Sequence, residues 1–239
     1  AGGSETLSNA NTYSGTTTIG NGSAAASLIL SGSGSISSSG VVVLAGVSGK
    51  LATLDISGTT SGASIVSLKD TSANTNYDSV VTASGKTLTL TSANDSFYGV
   101  ISGAGNVTLS SGTETLAGTN TYSGNTTING GTLNITNNSG LGATTGTVTI
   151  ASGGTLDLQS VTVGANPMNL NGGTLKDATS SYAGNITLGA TSTISVANAG
   201  DTFTLSGVIS GSGFGLTIGG SGTVALTNAN TYSGTTTIN

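Results

Sequence analysis

The chain has 239 residues, among them 40 Gly, 43 Thr, 37 Ser and 21 Asn, with 5% charged residues and a formal net charge of −5. It holds no His, Cys, Arg or Trp, and its four basic residues are Lys50, Lys69, Lys86 and Lys176; this excludes imidazole or thiolate catalysis, tetrahedral zinc or haem ligation, disulfides and neutralisation of a nucleic-acid backbone. The longest apolar run, Val41 to Ala45, is far short of the roughly 20 residues that cross a bilayer as a helix, so no direct membrane insertion is expected.

Short alternating runs then follow one another along the chain. They include Val148-Thr149-Ile150, Leu156-Asp157-Leu158, Val161-Thr162-Val163, Ile186-Thr187-Leu188, Thr193-Ile194-Ser195-Val196 and Leu216-Thr217-Ile218. Period-two alternation of β-branched and polar residues predicts strands with one buried and one wet face. Gly-Gly, Ser-Gly and Asn-Gly steps punctuate the runs, and the single Pro167 reads as a corner. No segment keeps a 3.6-residue apolar period. The apolar share of 35%, arranged in this way, excludes a disordered Gly/Ser chain and predicts an all-β fold. No charged start leads into an apolar run, so the sequence reads as a mature chain or an excised segment.

Internal repeats select the kind of β fold. The stretch Asn9 to Ile19 returns as Asn228 to Ile238, and a middle copy runs from Asn120 to Ile128. Its fixed residues are Asn11, Tyr13 and Gly15; Asn120, Tyr122 and Gly124; and Asn230, Tyr232 and Gly234. The intervals from Tyr13 to Tyr122 and from Tyr122 to Tyr232 are equal to within one position. Gly99 to Gly103 matches Gly207 to Gly211, and Leu68-Lys69-Asp70 matches Leu175-Lys176-Asp177. Weaker echoes at Asn76-Tyr77-Asp78, Phe97-Tyr98-Gly99 and Tyr182 to Leu188 mark a shorter step. That step is roughly 20 to 24 residues, at the short end of the periods that solenoids use. A short step nested in a near-110-residue super-repeat predicts a parallel β-helix, or β-solenoid, with one step per coil. A Greek-key sandwich explains the alternation but not the quantised spacing. The expected organisation is a single rod over 1–239: two super-repeats at about 11–119 and 120–229, and a partial third copy at 230–239.

The stretch Asn120 to Leu133, reading Asn-Thr-Tyr-Ser-Gly-x-Thr-Thr-Ile-Asn-Gly-Gly-Thr-Leu, resembles the passenger-associated repeat of bacterial autotransporters. The copies at Asn11 and Asn230 carry its front half. The resemblance implies a right-handed parallel β-helix, extracellular at the bacterial surface, anchored to the outer membrane through a region outside this chain or released. It implies a stalk or fibre segment that supports adhesion or surface assembly. Neither a translocator barrel nor a protease-like insertion is present in the sequence, which reads as a piece of passenger or a relative built from passenger repeats.

Little in the sequence points to chemistry. The nine acids are Glu5, Asp55, Asp70, Asp78, Asp95, Glu114, Asp157, Asp177 and Asp201. Asp70 and Asp177, Asp95 and Asp201, and Glu5 and Glu114 occupy matching repeat positions, which places each pair about five coils apart, too far for paired-carboxylate glycan cleavage. Asp55 and Asp157 lie between apolar neighbours and should face outward. No catalytic residue, metal ligand or cofactor is expected. Lys69-Asp70 and Lys176-Asp177 read as solvated charge, because strand neighbours point to opposite faces. The six Tyr with Phe97, Phe203 and Phe214 would form a sugar-stacking stripe if they faced outward, but their recurrence in one context favours packing. Ice binding would need regular outward Thr rows, and the Thr-Thr-Ile segments recur too sparsely for them. Joining Asn239 to Ala1 approximates the middle copy, so the expected partners are adjacent repeats or identical subunits stacked end to end, and a host or neighbour-cell glycan or surface.

Overall fold

Short strands, each ended by a small-residue corner, close the chain into a triangular coil that repeats along one axis. The computed structural model describes residues 2–71 and 77–239; Ala1, in the end join, and Asn76, in one of the weaker echoes, lie outside the described residues. Every ladder between the strands is parallel, and no helix forms among the described residues. The first face carries a five-stranded sheet from Gly3–Leu7 to Val100–Gly103 and, further along, a four-stranded sheet from Thr162–Val163 to Thr223–Leu226. Coils six and seven cross that face without a strand. The second face is an eight-stranded sheet from Gly62–Ile65 to Ile209–Ser210. The third face carries three strands, Thr17–Ile19, Val41–Leu44 and Ser67–Asp70, and then eight from Ala93–Phe97 to Thr236–Ile238. The protein is thus a β-solenoid of about eleven turns.

Alternation fixes what lies inside. On the third face Leu133, Leu156, Leu175, Ile194 and Ile218 stand in register, one per coil, and Ile238 continues the column exposed in coil eleven. On the second face Ile65, Leu90, Leu109, Ile128, Ile150, Leu170 and Leu188 form a matching column. Leu28, Leu54, Val80 and Ile101 line the first face. These columns merge into one continuous aliphatic core, and each Leu or Ile withdrawn from water contributes about 1.5–3 kcal/mol before chain entropy is counted.

Two features add detail to the sequence reading. The coil length varies more than the echoes suggest. Third-face strands begin at Val41, Ser67 and Ala93 in coils two to four, steps longer than expected, and at Thr174 and Ser192 in coils eight and nine, a step shorter than expected. The widest steps come early, because corners take up extra residues without disturbing the ladders. The repeat is also out of phase with the coil. The Thr-Thr-Ile of the first copy, Thr17–Ile19, lies on the third face; that of the second, Thr126–Ile128, on the second face; and that of the third, Thr236–Ile238, on the third face again. Successive copies are therefore a third of a turn short of, or beyond, five whole coils.

Candidate functional site

The repeated motif is a local device that works on whichever face it falls. In each copy the Tyr hydroxyl shares a hydrogen bond with the Thr four residues on: Tyr13 with Thr17 at 2.8 Å, and Tyr122 with Thr126 and Tyr232 with Thr236 at 2.7 Å. Thr126 stands in an inward column between Val107 and Val148, so its hydroxyl needs the partner that Tyr122 supplies. Burial pushes the Tyr122 phenol up to about 12. The motif Asn joins coils: Asn120 Oδ1 accepts the Ile101 N–H at 2.8 Å while its Nδ2 donates to Gly140 O at 2.8 Å. Asn230 Oδ1 accepts from Ile209 N–H at 2.7 Å, and Asn11 Nδ2 donates to Asn9 O and Ser35 O. A side chain on Gly124 would clash with Gly105 O, and one on Gly234 with the Phe214 backbone; Gly15, in coil one, meets nothing within 4 Å.

The acids separate into surface and interior groups. Asp55 faces outward as expected and caps the Ser57 N–H. Asp157 also lies on the outward side, but Lys176 from the next coil covers it, with Nζ 2.6 Å from Oδ2. Asp201 is partly exposed, and bonds from Thr179 and Asn198 hold its carboxyl below the usual range. Asp177 interrupts an apolar column between Leu158 and Val196; its Oδ2 accepts the Ser180 N–H across the left-handed Thr179, and burial raises it.

The other interior acids gather into one cluster. Asp95 and Glu114 pair in register on adjacent third-face strands, directly before the Leu133 column. Glu114 is fully buried and accepts a bond from Ser67 Oγ at 3.2 Å, two coils away. Asp70 Oδ2 accepts the N–H groups of Tyr98 and Gly99 at 2.7 and 3.0 Å. Asp78 Oδ1 accepts the Gly46 N–H at 2.7 Å. Lys69 Nζ lies 3.1 Å from Asp95 Oδ1, so its ion-pair partner is in the next coil. Burial raises Asp70 to about 6 and Glu114 well above the carboxylate range, and it lifts Asp78 as well. Comparing repeat copies hides this cluster, because it brings together different repeat positions. Parity was the available signal: Glu114 precedes inward Leu116 by two residues, and Asp95 precedes inward Phe97 by two. Among the described residues no group of three His, Cys, Asp or Glu side chains is placed to hold a metal.

Outward positions build polar rows. On the third face Thr113, Thr132, Thr155, Thr174, Thr193, Thr217 and Thr237 stand in one unbroken register. On the second face Thr89, Thr108, Thr127 and Thr149 do the same. Most of these Thr lie outside the Thr-Thr-Ile segments, and stacking rather than local sequence aligns them. The aromatic stripe does not form: Tyr122, Tyr182, Phe97 and Phe203 are fully buried.

A three-sided rod of stacked parallel coils, with aliphatic columns inside and hydroxyl rows outside, is a β-solenoid repeat protein. Comparison with family models identifies the repeat: residues 2–23, 102–135 and 216–239 match the passenger-associated-transport-repeat, and each matched segment contains one copy of the Tyr motif. The chain carries the repeat of autotransporter passengers, a family of surface-exposed or secreted proteins. No curated protein and no solved structure matches the chain.

Proposed function

We propose that this chain is an extracellular structural segment, a stiff stalk or fibre of a bacterial surface protein, and that it supports adhesion or surface assembly without catalysing a reaction. The observation that carries this reading is the core: coil after coil packs its apolar residues against the next, and buried Asp70, Asp78 and Asp177 serve as acceptors for backbone N–H groups. Its partners are further coils, from the same polypeptide or from another copy, added through the parallel ladders. The super-repeats at about 11–119 and 120–229, with the partial copy at 230–239, act as lengths of one rod rather than as separate domains. The Thr rows favour a second component, contact with a polyhydroxylated glycan surface, since regularly spaced hydroxyls hydrogen-bond such a surface without charge.

The test combines shape and chemistry. Small-angle scattering from the full chain should give a rod on the order of 50 Å long, from eleven coils at about 4.8 Å each. Incubation with a panel of bacterial and host polysaccharides should release no new reducing or unsaturated ends. Turnover that disappears in Asp70→Asn or Glu114→Gln would replace the structural reading with an enzymatic one.

A further inference from the structure

Among the described residues, the third face is the only one of the three whose ladder breaks between strands of two adjacent coils. Its three-stranded sheet ends at Ser67–Asp70 in coil three, and its eight-stranded sheet begins at Ala93–Phe97 in coil four. Side chains bridge the break where backbone pairing stops. Asn94 N–H donates to Ser67 Oγ at 3.0 Å, and Ser67 Oγ donates to Glu114 Oε2 at 3.2 Å. Below them Asp70 Oδ2 receives Tyr98 N–H and Gly99 N–H. A cavity of about 340 Å³ opens over the joint, lined by Lys69, Asp70, Asn94, Asp95 and Tyr98.

The charges at this joint do not balance. Asp95 faces Glu114 from the neighbouring strand, Asp70 faces it from coil three, and Asp78 faces Asp70 from the first face. Lys69 is the one cation at the joint among the described residues; it is half exposed and engaged with Asp95. Tyr98 is the remaining titratable group on the cavity wall. Glu114 Oε1 and Asp78 Oδ2 are buried and have no hydrogen-bond partner among the described residues. An ionised carboxylate in that position is strongly unfavourable, whereas a carboxyl with its proton on Oε1 still accepts the Ser67 bond through Oε2.

We propose that the joint between coils three and four is an acid-dependent latch, closed while Glu114 and Asp70 retain a proton between them and opened locally when both are ionised. The sign follows from burial. An acid whose folded pKa lies above its unfolded value favours the closed form fully at low pH, and that advantage fades as pH rises through the folded value. For Asp70 the window runs from about 4 to about 6; for Glu114 it extends higher, in the same direction.

Hydrogen exchange on the full chain, corrected for the intrinsic rate at each pH, tests the latch. Between pH 5 and pH 8 the amides of Asn94, Tyr98 and Gly99 should lose protection at least about tenfold, a conservative figure given that one pKa unit corresponds to a factor of ten. The amides of Val148 and Ile150 in coil seven should change less than about twofold. Glu114→Gln combined with Asp70→Asn should flatten the response at the joint. Three results would overturn the latch: joint protection in the unaltered chain that does not fall with pH, an equal fall in coil seven, or a full response retained in the double variant. The first two need no variant to fold.

Discussion

Tyr13 and Tyr122 make the same bond to a Thr four residues on, but their surroundings differ. Tyr122 and Thr126 are buried, whereas Tyr13 is 42% exposed. Removing the phenol oxygen therefore strands a buried hydroxyl in one copy, whereas in the other Thr17 Oγ1 keeps its bond to Ser39 Oγ at 2.6 Å. Tyr122→Phe is expected to destabilise by about 1–2 kcal/mol and Tyr13→Phe by about zero, read from denaturant midpoints at constant slope. The glycines show the same dependence on context. Gly124 lies against the backbone of coil five, while Gly219 has open space and an ordinary φ. Gly124→Ala should lower the melting temperature by several degrees, because the coils must part to admit a methyl group. Gly219→Ala should leave it unchanged or raise it slightly through the unfolded chain. Leu-Lys-Asp diverges in the same way: Lys69 pairs forward to Asp95 and Lys176 backward to Asp157.

At the scale of the strand, the sequence reveals parity and little about neighbours. Alternation assigns Leu156 and Leu158 to the core and Thr155 to the surface without any knowledge of the fold, and the burial along Gly154–Gln159 agrees. Glu114 follows the same rule, yet a lone acid on an inward position is readily taken for a surface residue because burial of charge is so costly. Which residues meet across coils depends on corner lengths that vary by several residues, so neither the seven-Thr row nor the meeting of Glu114 with Ser67 is visible in any one repeat. The third-face Leu column does follow from the Gly-Thr-Leu spacing at Gly131-Thr132-Leu133 and Gly154-Thr155-Leu156. Leu156→Ala is expected to cost about 2–5 kcal/mol, since Leu133 and Leu175 above and below hold the cavity open. Thr155→Ala, one residue away on the wet side, should stay within about 0.5 kcal/mol in the same titration.

Across the whole molecule, each ladder pairs a coil only with the coil before and the coil after, and the Ser67–Glu114 side-chain bond reaches one coil further, so the rod behaves largely as a one-dimensional stack rather than as a single folding unit. Energetic coupling between two sites then depends on how many coils separate them. Leu156 and Leu175 are direct partners in register, and truncating both merges two cavities into one. Leu54 in coil three and Leu188 in coil nine are separated by six coil steps, roughly 29 Å along the axis. Leu54→Ala with Leu188→Ala should therefore give the sum of the single effects within about 0.5 kcal/mol, whereas Leu156→Ala with Leu175→Ala should depart from additivity by about 0.5–3 kcal/mol. Because a stack of this kind opens in parts, the measurement is coil-resolved hydrogen exchange rather than one global transition. Coupling as strong in the distant pair as in the adjacent one would mean that the eleven coils open as one unit, and a latch confined to one joint could not operate in such a rod.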